Sequence, residues 1–288
     1  MLHLLRRQFV LLVGAVCLLA PGFAEAEEKN AEAKDKEAKR KAAAAKAPTY
    51  VIHRVKTKIV VDGRADEEDW KNAASVGDWV FGFLPEPTGK EEQTVFKMLW
   101  DDQYIYFAAV CEDRALLSKH RDRDGMVPLD DSVEVYITPH VKTSQRHYAF
   151  YVNVHASLYD EKFDGEGKRI LNEDPEKAKL PNRKSSWNSK GVKVAATSIG
   201  TLNDHKDIDR SWSLEIAVPY ANFADSGAQL PPKPNDVWKL NPNRHAYLAN
   251  GGCHYSQWAP TIPITGSFWG PDLFGNVVFS GEPVSAKE

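Results

Sequence analysis

An unbroken two-residue alternation over Asp130–Ile137 constrains the fold of this chain more than any other stretch. In an extended strand, Val133, Val135 and Ile137 point one way and Ser132, Glu134 and Tyr136 the other, because successive side chains alternate between faces. Tyr148–His155 repeats the pattern, with Phe150, Val152 and Val154 on the apolar side and Tyr151, Asn153 and His155 on the polar side. Ten residues, 138–147, part the two runs, enough for a hairpin loop. Paired in this way, Glu134, Tyr136, Tyr151 and Asn153 share one sheet surface. Carboxylates and amides hydrogen-bond hydroxyls and aromatic rings stack on apolar faces, so that surface can serve as a polyol-binding floor. The same positions would also suit the solvated face of an ordinary half-buried sheet.

The first residues carry a different signal. Met1 to about Ala26 reads as a secretory signal peptide, with Arg6 and Arg7 as the positive region, Phe9–Ala20 as the apolar core and Ala24-Glu25-Ala26 as the cleavage site. That core is short of the roughly 20 residues a membrane span needs. The expectation is a secreted or periplasmic protein with no span in its mature form. Cys17 lies inside the apolar core behind Val16, so it does not read as a lipidated cysteine. Residues 27–48 are almost entirely Ala, Lys and Glu; with no large apolar residue to bury, they read as a mobile or intermittently helical linker.

Residues 49–288 are long enough for one well-buried core and fall within the size range of single-domain all-β proteins. A net charge of −3 leaves no basic field for nucleic acid. Beyond Cys17 the cysteines are Cys111 and Cys253, for which a disulfide and two buried thiols both stand open. Strand signals recur at Ile59–Val61, Thr94–Trp100, Tyr104–Cys111, Val192–Ile199, Trp212–Val218, Trp238–Arg244 and Leu273–Phe279, with a short helical turn over Asp66–Ala74 and another over Tyr220–Phe223. Many short strands with almost no helical periodicity predict a two-sheet antiparallel β-sandwich, immunoglobulin- or jelly-roll-like, in a single domain.

The motifs Val61-Asp62-Gly63, Trp70, Leu99-Trp100-Asp101-Asp102-Gln103-Tyr104-Ile105-Tyr106, Asp131-Ser132-Val133-Glu134, Trp212-Ser213-Leu214-Glu215-Ile216-Ala217-Val218-Pro219 and Phe268-Trp269-Gly270-Pro271-Asp272-Leu273-Phe274-Gly275, in this order, resemble the family 9 carbohydrate-binding modules. The resemblance spans nearly all of residues 49–288 and extends to DOMON-type relatives, some of which bind haem. It implies a β-sandwich without catalytic machinery that grips an oligo- or polysaccharide, often at a chain end, between aromatic rings and polar side chains. Carried over, the polar roles fall on Glu134 and Asn153, and one ring on Trp269 or its neighbour Phe268. Two positions depart from the family pattern. Pro128 stands where a second tryptophan is expected, and Tyr151 where an arginine is expected. Tyr151, Tyr136 and Trp258 are the candidate replacements for the missing ring.

Other constellations bear on function. Arg244 offers a fixed fork of donors for sugar hydroxyls, or an ion pair. Asp122, Asp124, Asp130 and Asp131 offer the hard oxygens that calcium prefers, and the resemblance implies structural calcium; a solvated acidic loop is the alternative. The histidines are scattered without zinc-type spacing. Met98 with a histidine would suit haem, but it shares a strand face with Phe96 and Trp100, as a core methionine does. Asp131 and Glu134, three apart on a strand, point to opposite faces and cannot flank one glycosidic bond. No nucleophile elbow, phosphate loop or dinucleotide fingerprint occurs. The reading is a non-catalytic carbohydrate-binding module that supports polysaccharide breakdown or uptake. The alternatives are a haem-binding electron-transfer domain and a structural envelope protein.

Overall fold

The computed structural model describes residues 21–82, 92–141, 146–170, 187–204 and 206–285. The chain forms two compact units, Met1–Ala42 and Ala43–Glu288. In the first, the Ala/Lys/Glu stretch forms α1 (Pro21–Ala44), one continuous helix where the composition left the linker mobile or intermittently helical. These residue types are strong helix formers, and the pairs Asp35–Lys39 and Glu37–Lys41, each at 2.7 Å, add i,i+4 support. The first twenty residues of the expected signal peptide lie outside the described residues. No helix of the described residues is long and apolar enough to cross a membrane.

The second unit is all-β. Its strands are β1 (Thr49–Arg54), β2 (Val80–Gly82), β3 (Thr94–Trp100), β4 (Tyr104–Glu112), β5 (Ser132–Thr138), β6 (His147–Asn153), β7 (Leu158–Phe163), β8 (Lys193–Ile199), β9 (Ser211–Pro219), β10 (Val237–Tyr247), β11 (Cys253–Gln257) and β12 (Gly275–Pro283). Among the described residues it also has two short helices, α2 (Glu68–Asn72) and α3 (Ile262–Thr265), and 3-10 turns over Val127–Leu129 and Tyr220–Phe223. The strands do not separate into the two antiparallel sheets expected from the sequence. They join one hydrogen-bonded network in the order β7-β6-β5-β10-β12-β1-β3-β4-β9-β8, with β11 attached to β10 and β2 to β11. The reason lies in two strands. β10 carries β5 along one edge and, along the other, β12 on Val237–Leu240 and β11 on Asn243–Tyr247, so the ladder passes through it without a break. β1 runs parallel to both β12 and β3, joining the last strand of the chain to one of its first. Ile59–Val61, expected as a strand, has no ladder partner and lies outside the strands.

The inward faces share one core. Val133, Val135 and Ile137 of β5 and Phe150 and Val152 of β6 meet Phe96, Met98 and Trp100 of β3, Phe107 of β4 and Trp238 and Leu240 of β10 there. The quoted motifs are the ties that hold loops to this frame. The Glu215 carboxylate on β9 accepts the N–H groups of Asp62 (3.0 Å) and Gly63 (2.8 Å) and the indole N–H of Trp70 (2.7 Å), which docks the turn and α2 on the sheet. Gly63 has φ +86°, and a Cβ there would stand 2.7 Å from the Ala196 backbone, so only glycine fits. Asp101 closes the β3–β4 turn by accepting from the Gln103 and Tyr104 amides, both at 2.7 Å, and from the Tyr106 hydroxyl at 2.7 Å.

Arg244 lies on the core side of β10, fully buried, rather than on a sugar-facing surface. Its guanidinium donates to the carbonyls of Gln93 (3.2 Å) and Glu112 (2.5 Å) and pairs with Asp113 at 3.2 Å and Glu92 at 3.7 Å, because a buried charge needs opposite charge and acceptors around it. Nearby Asp131 accepts from the amides of Leu117 and Tyr247, both at 2.6 Å. Burial, and then the neighbouring Asp113, push the Asp131 carboxyl up to about 8. Cys111 and Cys253 are both free thiols. Burial pushes that of Cys111 up to about 12.

The raised Asp131 carboxyl sets a pH dependence. An unfolded aspartate titrates near ~3.9. The neutral form is favoured in the fold, so this contribution to stability is complete below about 4 and is lost as pH rises through about 8. Asp160, pushed by burial up to about 6, acts in the same direction at lower pH. The melting temperature is expected to fall between pH 5 and pH 8.5, and Asp131→Asn to flatten the upper part of that slope. A native melting temperature that rises over the range would contradict the assignment.

Candidate functional site

The face of the β5–β6 hairpin turned away from the core is also covered: every residue of both strands is buried. The register explains what lies on it. Glu134 pairs with Tyr151 and Tyr136 with Ala149, while on the next strand Tyr151 faces Tyr159 and Ala149 faces Glu161. Glu134, Tyr136, Tyr151, Tyr159 and Glu161 therefore form one continuous layer. Over it pack Val127, Phe274 and the half-buried Phe268 and Trp269.

A chain of hydrogen bonds runs across this layer. The hydroxyls of Tyr136 and Tyr151 are 3.0 Å apart, and Tyr151 donates onward to Glu161 at 2.9 Å. Glu161 also accepts from the Tyr159 hydroxyl and pairs with Arg169, which returns to β7 through a backbone bridge to Phe163. At the other end, His245 Nε2 lies 3.2 Å from Glu134 Oε1 and its Nδ1 lies 2.9 Å from the Pro128 carbonyl. Burial first, and then the nearby carboxylates, hold Tyr136 well above the usual phenol range. Tyr151 is raised first by burial, then by Tyr136 and Glu161. Both remain neutral phenols that can donate and accept.

Above the layer opens a cleft of about 680 Å³ lined by Glu134, Tyr136, Tyr151, Glu161, Arg169, His245, Phe268 and Trp269, with Pro128 and Met126 on one wall. Its two prominent rings are set by a short segment after α3. Gly266, at φ +73°, ends that helix in the left-handed cap glycine favours. The hydroxyls of Thr261 and Thr265 then both donate to the Ser267 carbonyl at 2.9 Å, and Thr265 also reaches the Trp269 carbonyl at 3.2 Å. Phe268 stacks on His245 with centroids 5.3 Å apart and 28° between planes. Trp269 turns the other way. Its ring lies 4.5 Å from Phe163, meets His147 edge-on at 5.0 Å and Tyr136 at 5.9 Å. Gly167 is the glycine of the turn that lies against Trp269: its φ is +80°, and a Cβ there would come within 2.6 Å of the indole nitrogen.

Of the residues singled out from the sequence, Glu134, Tyr151 and Trp269 line the cleft. Asn153 and Arg244 do not. Asn153 shares the strand face of Tyr151, but the chain before β5 folds over it. Its amide donates to the His120 carbonyl and to Asp130 Oδ2, both at 2.7 Å, and its oxygen accepts from the amides of His155 (3.1 Å) and Ser157 (2.9 Å). Tyr151 is only 3 % exposed, so it serves as floor rather than as a free stacking platform. Trp258 packs in the main core, as does Met98, which lies among apolar side chains rather than in a cavity that could hold haem. Pro128, at the position of the expected second tryptophan, offers its carbonyl to His245 and to the Tyr247 hydroxyl at 3.1 Å.

The acidic stretch does not assemble as a calcium site. Asp130 spends its oxygens on the amides of Lys119 and His120, both at 3.0 Å, and on Asn153, and Asp131 on two further amides. Among the described residues no group of three or more His, Cys, Asp or Glu side chains is placed to hold a metal ion. Sequence reasoning missed Glu161 and Arg169, and it weighed His245 only as a zinc ligand. The spacing Tyr159, Glu161, Phe163 carries the same period-two signal as β5, diluted by Asp160 and Lys162 on the other face.

Fold and cleft together define the class: an all-β domain with a surface cleft walled by aromatic rings and floored by carboxylates and phenols. Residues 61–201 match the family model described as Carbohydrate family 9 binding domain-like, the family whose motifs the chain resembles. A similar solved structure is a Bacteroides uniformis ATCC 8492 protein provisionally described as carbohydrate-binding, 15% identical, with a TM-score of 0.57 over 81% of this chain and 100% of that one. A family 9 carbohydrate-binding module from Caldicellulosiruptor kristjanssonii in complex with glucose is 12% identical, with a TM-score of 0.49 over 83% of this chain and 100% of that one. No curated protein matches the chain.

The placement of Asn153 makes a prediction about stability. Asn153→Ala removes four hydrogen bonds and leaves the carboxylate of Asp130 short of a donor, a cost of about 2–4 kcal/mol. Chemical denaturation should show a lower midpoint. An unchanged midpoint would mean that the loop over β6 is held by other contacts.

Proposed function

We propose that residues 49–288 are a non-catalytic module that holds an oligo- or polysaccharide, at a chain end, in the cleft above β5, β6 and β7. The observation that carries this reading is the half-buried indole of Trp269 beside a floor of Glu134, Tyr136 and Tyr151. A sugar ring offers an apolar face to an indole and hydroxyls to carboxylates and phenols, and this surface presents both at once. The family match over residues 61–201 supports the same class of ligand. With the signal peptide read at residues 1–26, the module acts outside the cytoplasm, secreted or periplasmic, in support of polysaccharide breakdown or uptake. The chemistry is that of binding: the two carboxylates of the cleft are engaged by His245 and by Arg169.

A glycan array, with and without chelator, should return a saccharide ligand that does not depend on added calcium. Against that ligand, Trp269→Ala and Glu134→Gln should each weaken binding by about tenfold or more, since a stacking ring and a charge-assisted hydrogen bond are each worth on the order of 1–3 kcal/mol. Melting temperatures should stay within about 2–4 °C of the native value. Full affinity in both variants would place the ligand elsewhere on the molecule.

A further inference from the structure

His245 ties three parts of the cleft together through one ionisable ring. On β10 it pairs directly with Ser132 of β5 and Tyr255 of β11, which sets it diagonally beside Glu134 on the cleft side of the sheet. There its Nδ1 lies 2.9 Å from the Pro128 carbonyl, its Nε2 lies 3.2 Å from Glu134 Oε1, and Phe268 stacks on its face at 5.3 Å. A carbonyl oxygen only accepts, so Nδ1 carries a hydrogen. Nε2 then turns its remaining position toward a carboxylate oxygen. A lone pair there would repel Oε1, whereas a second ring hydrogen completes a charge-assisted bond. The imidazolium also suits the stacked phenyl ring, whose face attracts a cation.

The surrounding groups leave this arrangement to Glu134. The Tyr247 hydroxyl shares the Pro128 carbonyl at 3.1 Å, and Tyr255 meets the imidazole edge-on at 4.8 Å. Burial holds both phenols above their usual range, as it does Tyr136 beyond Glu134, so none of the three brings a charge. Arg244, the preceding residue, turns to the core face and pairs with Asp113, and Asp131 is occupied by the amides of Leu117 and Tyr247. We propose that His245 is a positioning residue: its doubly protonated ring holds the Glu134 carboxylate and the Phe268 ring where a ligand meets them, so that binding is linked to one proton. The effect on binding rests on the carbohydrate reading above; the hold on Glu134 and Phe268 does not. The sign follows from the geometry. The protonated ring belongs to the binding-competent cleft, so affinity is complete on the acid side of the ring's titration and is lost as pH rises through it. Loss of the proton turns the Nε2 lone pair on Oε1, and the pair separates, releasing Phe268. The module thus holds its ligand in neutral surroundings and lets go in alkaline ones.

Nitrogen NMR of the full chain carrying labelled histidine, assigned with His245→Gln, reads the ring directly between about pH 5 and pH 9, a range that brackets histidine titration. Hydrogens on both ring nitrogens are expected at neutral pH, with loss of the Nε2 hydrogen on the alkaline side accompanied by a shift of the Phe268 ring signals at the same midpoint. Glu134→Gln should remove the second hydrogen at neutral pH. Calorimetric titration with cellobiose, xylobiose and mannobiose over the same range should show affinity for whichever binds falling by about tenfold or more toward the alkaline end. His245→Gln, shown by thermal melting to be folded, should bind about tenfold more weakly at neutral pH and lack that fall. A ring with one hydrogen at neutral pH, or Phe268 signals that ignore its titration, would overturn the positioning role. A native affinity that is flat across the range, or an equal fall in His245→Gln, would overturn the link to binding while leaving carbohydrate binding in place. If none of the three sugars binds at any pH, the carbohydrate reading fails, and the ring and Phe268 signals alone decide the role of His245.

Discussion

Pairing Glu134 with Tyr151 and Val135 with Phe150 across β5 and β6 sends the aliphatic side chains into the main core and the polar and aromatic ones to the opposite face. A slip of one residue would exchange the two sets, placing Glu134 among Phe96 and Trp100 and opening the valines to the cleft. The rest of the molecule follows from this register. The core needs the aliphatic row to close against β3, β4 and β10. The cleft needs the other row to set Glu134 beside His245 and Tyr151 beside Glu161. Because both faces are covered, neither row can relax toward water, and the hairpin is pinned from two sides.

Covering a polar face obliges the protein to satisfy it, and carboxylates do most of that work in this domain. Glu215 gathers a turn and α2, Asp130 and Asp131 draw in the chain before β5, and Asp113 and Glu92 meet the buried Arg244. Glu215, Asp130, Asp131 and Asp113 each accept more than one donor, as burial demands of an ionisable group. The same economy explains why the acidic stretch around β5 does not converge on a cation. The oxygens of Asp130 and Asp131 already hold backbone amides, which a metal would have to displace.

How much of this was legible varies from residue to residue. The alternation at Val133, Val135 and Ile137 and at Phe150 and Val152 was enough to predict the hairpin, its core face and the presence of Glu134 and Tyr151 on one surface. Trp269 came from a motif rather than from periodicity, since it sits on no strand. Asn153 has the right parity to join them, but strand parity does not reveal that a loop closes over the end of β6. Arg244 was read as a donor to sugar hydroxyls or a member of an ion pair, although it shares the parity of Trp238 and Leu240; what could not be read was that Asp113 and Glu92, more than a hundred residues away, meet it inside. The union of the strands into one sheet was hidden for a related reason: it depends on β10 offering one edge to two partners and on β1 lying parallel between the two ends of the domain. Glu161 and Arg169 went unread because the apolar side of β7 is interrupted by Asp160 and Lys162.

The two rings of the cleft are carried by a brief hydroxyl-braced segment between α3 and β12, whereas the floor belongs to strands whose other faces build the core. Such a division lets the parts diverge at different rates. Substitutions at Phe268 or Trp269 can retune which ligand is preferred while folding proceeds as before, whereas a change at Tyr136 or Tyr151 is transmitted through the hairpin to its packing. The architecture thus separates what is recognised from what keeps the domain intact, so that one scaffold can be turned to new ligands in steps each of which yields a folded protein.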